Sequence, residues 1–241
     1  QKRLEEMKND FIGNMTHELK TPISTIALSS EVLCDPTIAT EPERLASYAR
    51  IIRSENERLR TQVERVLQLS RMDREDLRSE RRAVDMRTVI QEVADRYRLQ
   101  IEEREGRITV EDAGGDLTVM GDRVHLANAL SNLLDNSIKY SPQHPAVRIT
   151  CSGAEGAIRI GVHDNGIGIS KADLPHIFER FFRAHTGNVH DVKGFGLGLH
   201  YAQQVVQAHD GQLSATSEPG KGSTFTLVLP QADTTDKASM A

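Results

Sequence analysis

The segment Met15-Thr16-His17-Glu18-Leu19-Lys20-Thr21-Pro22 sets an imidazole beside a carboxylate and one helical turn from a hydroxyl. On a helix His17 lies about 200° round from Met15, so it points away from the apolar stripe that Met15 belongs to. Thr21, four positions on, shares the face of His17. Glu18 is near enough to take a proton from one imidazole nitrogen and leave the other as a nucleophile. Pro22 cannot donate to the Glu18 carbonyl, weakens the helix beside the histidine, and is expected to serve bending. The plainer reading is a solvated histidine on a charged face, and the local sequence leaves both open.

Three further stretches carry binding chemistry. In Asn132-Leu133-Leu134-Asp135-Asn136-Ser137-Ile138-Lys139-Tyr140, the residues Asn132, Asn136 and Lys139 fall on one helical face. Amide oxygens can ligate Mg²⁺ and a lysine can neutralise phosphate. A merely amphipathic helix explains Leu133 and Leu134 but not two asparagines, which are poor helix formers. Asp164-Asn165-Gly166-Ile167-Gly168-Ile169 follows a strand, with an aspartate able to accept from an adenine amino group and glycines that permit close approach. Taken alone it is a common strand-to-loop turn. Gly194-Phe195-Gly196-Leu197-Gly198-Leu199 opens a helix, where backbone N–H groups suit a triphosphate. Its spacing is not the dinucleotide fingerprint. His185, His190 and His200 lie near but are irregularly spaced and without a cysteine, so zinc is not expected.

The elements that must position these groups follow from periodicity. Up to about residue 75 the chain predicts two long helices joined near Cys34 to Pro42. The first carries Leu4, Met7, Phe11, Met15, Leu19, Ile23, Ile26 and Leu33 as one stripe. The second repeats Leu45, Ile52, Leu59 and Val66 every seven residues, with Tyr48 and Leu69 between. Thr40-Glu41-Pro42-Glu43 reads as a capping box for it. One hairpin buries such seams poorly and a pair of hairpins buries them well, so a homodimeric four-helix bundle is expected. Packing of the hairpin on the chain's own second domain is the alternative. Charged residues from Arg71 to Arg82 read as helix end and linker. Helices near 88–103, 122–139 and 196–209 then interleave with strands near 107–110, 117–119, 147–151, 157–163, 211–216 and 224–229, which predicts an α/β layer sandwich. Asp122 is placed to cap its helix. The last ten residues are polar and expected to fray.

Bulk properties narrow the function. Charged residues make up 27% and hydrophobic ones 38%, which is globular composition, and the net charge of -5 argues against nucleic acid as a main partner. There is no Trp, so a stacking platform for single strands is not expected. Cys34 and Cys151 make neither a disulfide framework nor a zinc pattern. No apolar run approaches the roughly 20 residues that span a bilayer. A start at Gln1, without Met or a signal peptide, suggests a fragment, so any membrane or sensor part is expected to lie outside this sequence.

Taken in order, these segments resemble a sensor histidine kinase of the two-component type. His17 to Pro22 is similar to its phospho-acceptor box, Asn132 to Tyr140 to its N box, and Asp164 to Gly168 to its first glycine box. Phe178-Glu179-Arg180-Phe181-Phe182-Arg183 resembles the F box, and Gly194 to Gly198 the second glycine box. The resemblance implies a dimerisation and phosphotransfer domain at 1–76, a linker at 77–84, an ATP-binding domain at 85–230 and a flexible tail at 231–241. The ATP-binding domain would share the fold of gyrase and of a heat-shock chaperone. The resemblance further implies that His17 is the phospho-acceptor, with Glu18 and Thr21 beside it. Asn136 would hold Mg²⁺ with Asn132 close by, Lys139 and Arg183 would meet the phosphates, and Tyr140 would stack by the adenine that Asp164 reads. Gly166, Gly168, Gly194, Gly196, Leu197 and Gly198 would shape the pocket. Phe178, Phe181 and Phe182 would anchor a lid between Ala184 and Lys193. Phe195 stands where many relatives carry a small or hydroxylated residue, a departure that bears on lid packing more than on ATP binding. The implied cofactors are ATP and Mg²⁺. The implied partners are a second copy through residues 1–76 and a response-regulator receiver domain, and the implied place is the cytoplasmic portion of an inner-membrane sensor. The rival readings are an ATPase of the same fold, such as a repair or chaperone-like clamp, and a dimeric scaffold without turnover.

Overall fold

The computed structural model describes residues 2–70, 81–141, 143–184 and 196–232. The chain divides into two compact units, residues 1–71 and 72–241.

The first unit is a helical hairpin of α1 (Lys2–Leu33) and α2 (Pro42–Ser70). The helix continues unbroken through Pro22, whose side chain is buried. Ser29 is buried on the same side, with Met15, Glu18, Ile26 and Leu33 half-buried around them. Ile23 departs from the single stripe that the spacing suggests, and is 55% exposed in the single chain. It sits about 100° on from Pro22, off the line that meets α2. The join is more ordered than its composition suggests. Asp35 accepts from Thr37 N at 2.9 Å and from its hydroxyl at 2.7 Å, capping a 3-10 turn over Pro36–Thr40 that buries Ile38. The capping box does not form. The Thr40 hydroxyl donates to the Thr37 carbonyl at 2.7 Å, and Pro42 opens α2 at a position where its missing N–H is no loss.

The second unit is a helix layer on a sheet. Its elements are β1 (Arg82–Asp85), α3 (Met86–Glu102), β2 (Arg107–Asp112), β3 (Thr118–Gly121), α4 (Arg123–Lys139), β4 (Ala146–Ala154), β5 (Ala157–Asp164), α5 (Gly198–Ala208), β6 (Gln212–Glu218) and β7 (Gly222–Pro230). Five strands form one sheet in the order β2-β4-β5-β7-β6, parallel only between β2 and β4, and β1 pairs with β3 apart from it. Alternation along the strands sorts the faces. Ile149, Val162 and Phe225 share one inward row and Cys151, Ile160 and Leu227 the next. α3, α4 and α5 cover this face, each fully buried aliphatic side chain contributing about 1.5–3 kcal/mol. The opposite face carries Arg148, Thr150, Arg159, His163 and Thr224.

Two boundaries differ from expectation. The strand Arg82–Asp85 begins inside the stretch read as linker, because Val84 is buried against the core, and Arg81 donates to Asp210 Oδ2 at 2.9 Å. Gln231 and Ala232 are held, the first donating from Nε2 to the Asp116 carbonyl and the second from its N–H to Thr118 O at 2.7 Å. The frayed tail expected beyond them lies outside the described residues. Among the described residues no helix is long and apolar enough to cross a membrane.

Candidate active site

The imidazole of His17 stands on the exposed side of α1. Thr21 is exposed one turn on, and its hydroxyl donates to the His17 carbonyl at 3.3 Å. Thr16 and Thr25 make the same backward bond, to Ile12 O at 2.8 Å and Thr21 O at 3.0 Å. Such bonds bend helices slightly. Glu18 is half-buried on the α2 side, where Gln62 Nε2 donates to its Oε2 at 3.4 Å. His17, Glu18 and Thr21 belong to the first unit; every other candidate belongs to the second.

In the second unit α4 is the spine of the site. Asp122 accepts from the N–H groups of Val124 and His125, fixing its start as the sequence suggests. Leu133 and Leu134 are fully buried, which leaves Asn132 and Asn136 half-buried on the side away from the core. The Asn132 amide donates to Asn128 O at 2.9 Å. α5 begins beside it: a methyl group on Gly198 would come within 2.8 Å of Asn132 Oδ1. Arg104 holds the other end, donating to the carbonyls of Ile138 at 2.7 Å and Ser141 at 2.6 Å. There the Lys139 ammonium lies 5.2 Å from the centre of the Tyr140 ring. Burial pushes the Tyr140 hydroxyl above its usual range, and the nearby Arg183 guanidinium pulls it back. Two cations thus flank this half-buried ring.

Strand alternation brings Asp164 to the same place. Val162 points inward, so Asp164 does too, in a last inward row that also holds Val147. Its Oδ1 accepts from Gly166 N at 2.9 Å and Ser223 N at 3.0 Å, and Ser137 of α4 donates to its Oδ2 at 3.4 Å. Burial raises its pKa, and these donors oppose the rise. A carboxylate has about four acceptor positions, and among the described residues these three bonds leave one of them for a ligand donor. The loop beyond it needs a glycine at 168, where φ is +71° and a Cβ would lie 2.1 Å from the Glu218 carbonyl. Tyr140 O accepts from Ile167 N at 3.0 Å, tying this loop to the end of α4.

The entry to α5 closes the group. Gly196 has φ of +68°, and its carbonyl accepts from Phe181 N at 3.1 Å. Phe181 itself adopts φ of +70°, a strained conformation for a bulky residue. Phe178 and Phe182 pack against the core as anchors. Leu197 is buried at the start of α5, which has no side-chain cap, so its first N–H groups suit an anion. Gly194, Phe195 and residues 185–193 of the expected lid lie outside the described residues. His200 Nδ1 pairs with Phe178 O at 2.9 Å.

Comparison with known proteins places this arrangement. Residues 7–75 match the family described as the His Kinase A (phospho-acceptor) domain. Residues 121–233 match the histidine kinase-, DNA gyrase B- and HSP90-like ATPases. The sensor protein RprX of Bacteroides fragilis is 42% identical across 95% of this chain and 45% of its own length. The solved structure of the mycobacterial sensor histidine kinase MprB is 31% identical, with a TM-score of 0.53 over 63% of this chain and 97% of that one. The chain belongs to the sensor histidine kinases. It spans about half the length of the curated relatives it matches, 45% of RprX and 55% of SenX3 from Mycobacterium tuberculosis. Histidine kinase ThkA, solved in complex with the response regulator TrrA, shares the fold at a TM-score of 0.64 and 22% identity, covering 96% of this chain and 64% of that one.

Within this sensor histidine kinase the ATPase match begins at Gly121, yet β1, α3 and β2 belong to the same compact unit. Four residues at the site escaped the sequence reading: Gln62, Arg104, Ser137 and Ser223. Ser137 could have been found, because it lies one turn beyond the buried Leu133 and must face the sheet. Arg104 and Ser223 act across the fold and have no local signature.

Proposed function

We propose that the chain phosphorylates its own His17 from ATP and passes the phosphoryl group to an aspartate of a response-regulator receiver domain. One observation carries this reading. An exposed histidine, with a carboxylate and a hydroxyl at the next position and the next turn, shares a chain with an ATPase-family unit whose half-buried Asp164 keeps one acceptor position open among the described residues.

Asp164 would accept from the adenine amino group and Tyr140 would stack beside the ring. Lys139 and Arg183 would meet the phosphates. The N–H groups of Gly196, Leu197 and Gly198 would hold the triphosphate in line, with Gly166, Gly168 and Gly194 shaping the pocket. Asn136, supported by Asn132, offers the hard oxygen that Mg²⁺ needs, and the bound ion offsets triphosphate charge. One imidazole nitrogen of His17 attacks the γ-phosphorus. The N–P bond forms, the bond to the bridging oxygen breaks, and its electron pair leaves with ADP. Glu18 takes the proton from the other nitrogen. Positioning and electrostatics supply most of the rate.

Transfer to a receiver domain is supported by the fold shared with ThkA, a kinase solved with its response regulator. Pairing of two hairpins through residues 1–76 is supported by Ile12, Ile23, Leu45 and Val63, all exposed in the single chain. Thr21 would align water for dephosphorylation of the regulator, a phosphatase activity supported by its exposure one turn from His17. A place as the cytoplasmic portion of a longer inner-membrane sensor belongs to the proposal, and the relatives named as sensor proteins are about twice the length of this chain.

Incubation with γ-labelled ATP and Mg²⁺ tests the reading. Label that is acid-labile and base-stable is expected on the chain. Release of phosphate without such label would point instead to a clamp-type ATPase.

A further inference from the structure

In α2 a polar side chain is buried where its apolar neighbour is not. Gln62 is 6% exposed and Val63 is 47% exposed. Gln62 falls in the seven-residue series of Tyr48 and Leu69, and its side chain reaches Glu18 of α1. A glutamine on such a seam lowers stability compared with an aliphatic residue. The arrangement is more unfavourable still because Gln62 Oε1 is buried with no hydrogen-bond partner among the described residues. An unsatisfied buried oxygen is destabilising, and sites that break a local rule in this way are often functional. The other end of the same amide donates from Nε2 to Glu18 Oε2 at 3.4 Å.

We infer that Gln62 is a positioning residue for Glu18, holding its carboxylate in both protonation states of the phosphotransfer step. This rests on the proposed role of Glu18 as acceptor of the His17 proton. Before transfer Glu18 is an acceptor only, and the Gln62 N–H₂ group matches it. After transfer the protonated carboxyl is a donor, and the Gln62 carbonyl matches it once the amide turns over. A carboxamide is the side chain that carries a donor and an acceptor on one planar group without a charge of its own. The unpartnered Oε1 is then the acceptor held ready for the second state. The proton finally leaves Glu18 for solvent, which returns the amide to its first orientation.

The test uses the whole chain with Gln62→Met, which keeps length and apolar stem and removes both polar ends. For autophosphorylation we expect kcat to fall about tenfold, the loss of a hydrogen bond to a charged group, with KM for ATP unchanged. Thermal stability should hold or rise, since an orphan buried oxygen is removed. Gln62→Asn should recover part of the rate. In a Glu18→Gln background Gln62→Met should have no further effect, because the two residues act through one group. An unchanged kcat, a fall in stability that parallels the fall in rate, or an equal loss in the Glu18→Gln background would overturn the assignment. Absence of labelling in the unsubstituted chain is a different outcome, and it removes the kinase reading itself.

Discussion

The Ser137 hydroxyl of α4 lies 3.4 Å from Asp164 Oδ2 at the end of β5, and also donates to Leu133 O at 3.0 Å. This pair joins the helix that carries Asn132 and Asn136 to the residue proposed to read adenine. Ser137→Ala removes the hydroxyl from a buried position without adding bulk. ATP affinity should fall about fivefold to tenfold, in line with about 1 kcal/mol for one such bond, with the fold retained. Isothermal titration with ATP measures it, and an unchanged affinity would show that Asp164 does not need this partner.

Gly168 and Gly220 share a left-handed conformation, with φ of +71° and +78°, but differ in their surroundings. A Cβ at 168 would lie 2.1 Å from the Glu218 carbonyl, and one at 220 would meet nothing within 4 Å. Gly220→Ala should therefore lose only the conformational term, about 1 kcal/mol. Gly168→Ala should lose more, by about a further 1–3 kcal/mol, and should weaken ATP binding as its loop shifts. Melting temperatures of the two variants compare them directly. Equal losses would mean that the loop relaxes away from Glu218 freely.

How much of this site could be read from residue order depends on how local each constraint is. The helix faces of His17, Asn132 and Asn136 follow from a 3.6-residue period alone, and the structure puts all three where that period sends them. The Asp122 cap is likewise local. Asp164 was recognisable as a strand-end residue, but its inward direction depends on counting from Val162, and its partners Ser137 and Ser223 come from distant segments. Ile23 is exposed in the single chain, because steps of three and four drift around a helix and the residues of α1 buried there are Pro22 and Ser29, which leaves Ile23 to the proposed pairing with a second hairpin. The stretch before Asp85 reads as linker because Arg82 and the charged run ahead of it mask a four-residue strand, Arg82–Asp85, whose single buried side chain is Val84. Gln62 could not be found at all, since periodicity rewards apolar residues and this one is buried against the pattern.

His209 should make the second unit sensitive to acid. It is buried, its Nδ1 paired with Val205 O at 2.7 Å and its Nε2 accepting from the Asp122 N–H at 3.0 Å. Burial lowers its pKa from 6.5, the Val205 carbonyl opposes this, and Arg81 and His125 lower it further while Asp122 raises it. His163 is lowered too, chiefly by burial. The unfolded chain therefore binds a proton near pH 6.5 that the folded chain refuses until lower pH. Stability is full above that value and falls as pH drops below it. Urea midpoints at neutral and mildly acid pH should show the fall, and His209→Gln should flatten it. A midpoint that rises on acidification would contradict the assignment.

Thr21 separates the two proposed activities. Its hydroxyl is exposed beside His17 and donates only backward, to the His17 carbonyl at 3.3 Å. Thr21→Ala should leave autophosphorylation within about twofold, because the nucleophile is untouched, and lower dephosphorylation of a phosphorylated receiver domain by about tenfold or more. Thr21→Ser should recover it. Full phosphatase activity in the alanine variant would remove this role.

The central claim is that His17 receives the phosphoryl group from ATP bound by the second unit. His17→Gln, compared with the unsubstituted chain in one labelling experiment with γ-labelled ATP and Mg²⁺, tests it most directly when ATP affinity is measured on the same samples. The variant should bind ATP with unchanged affinity and carry no acid-labile label. Equal labelling of the variant would contradict the claim.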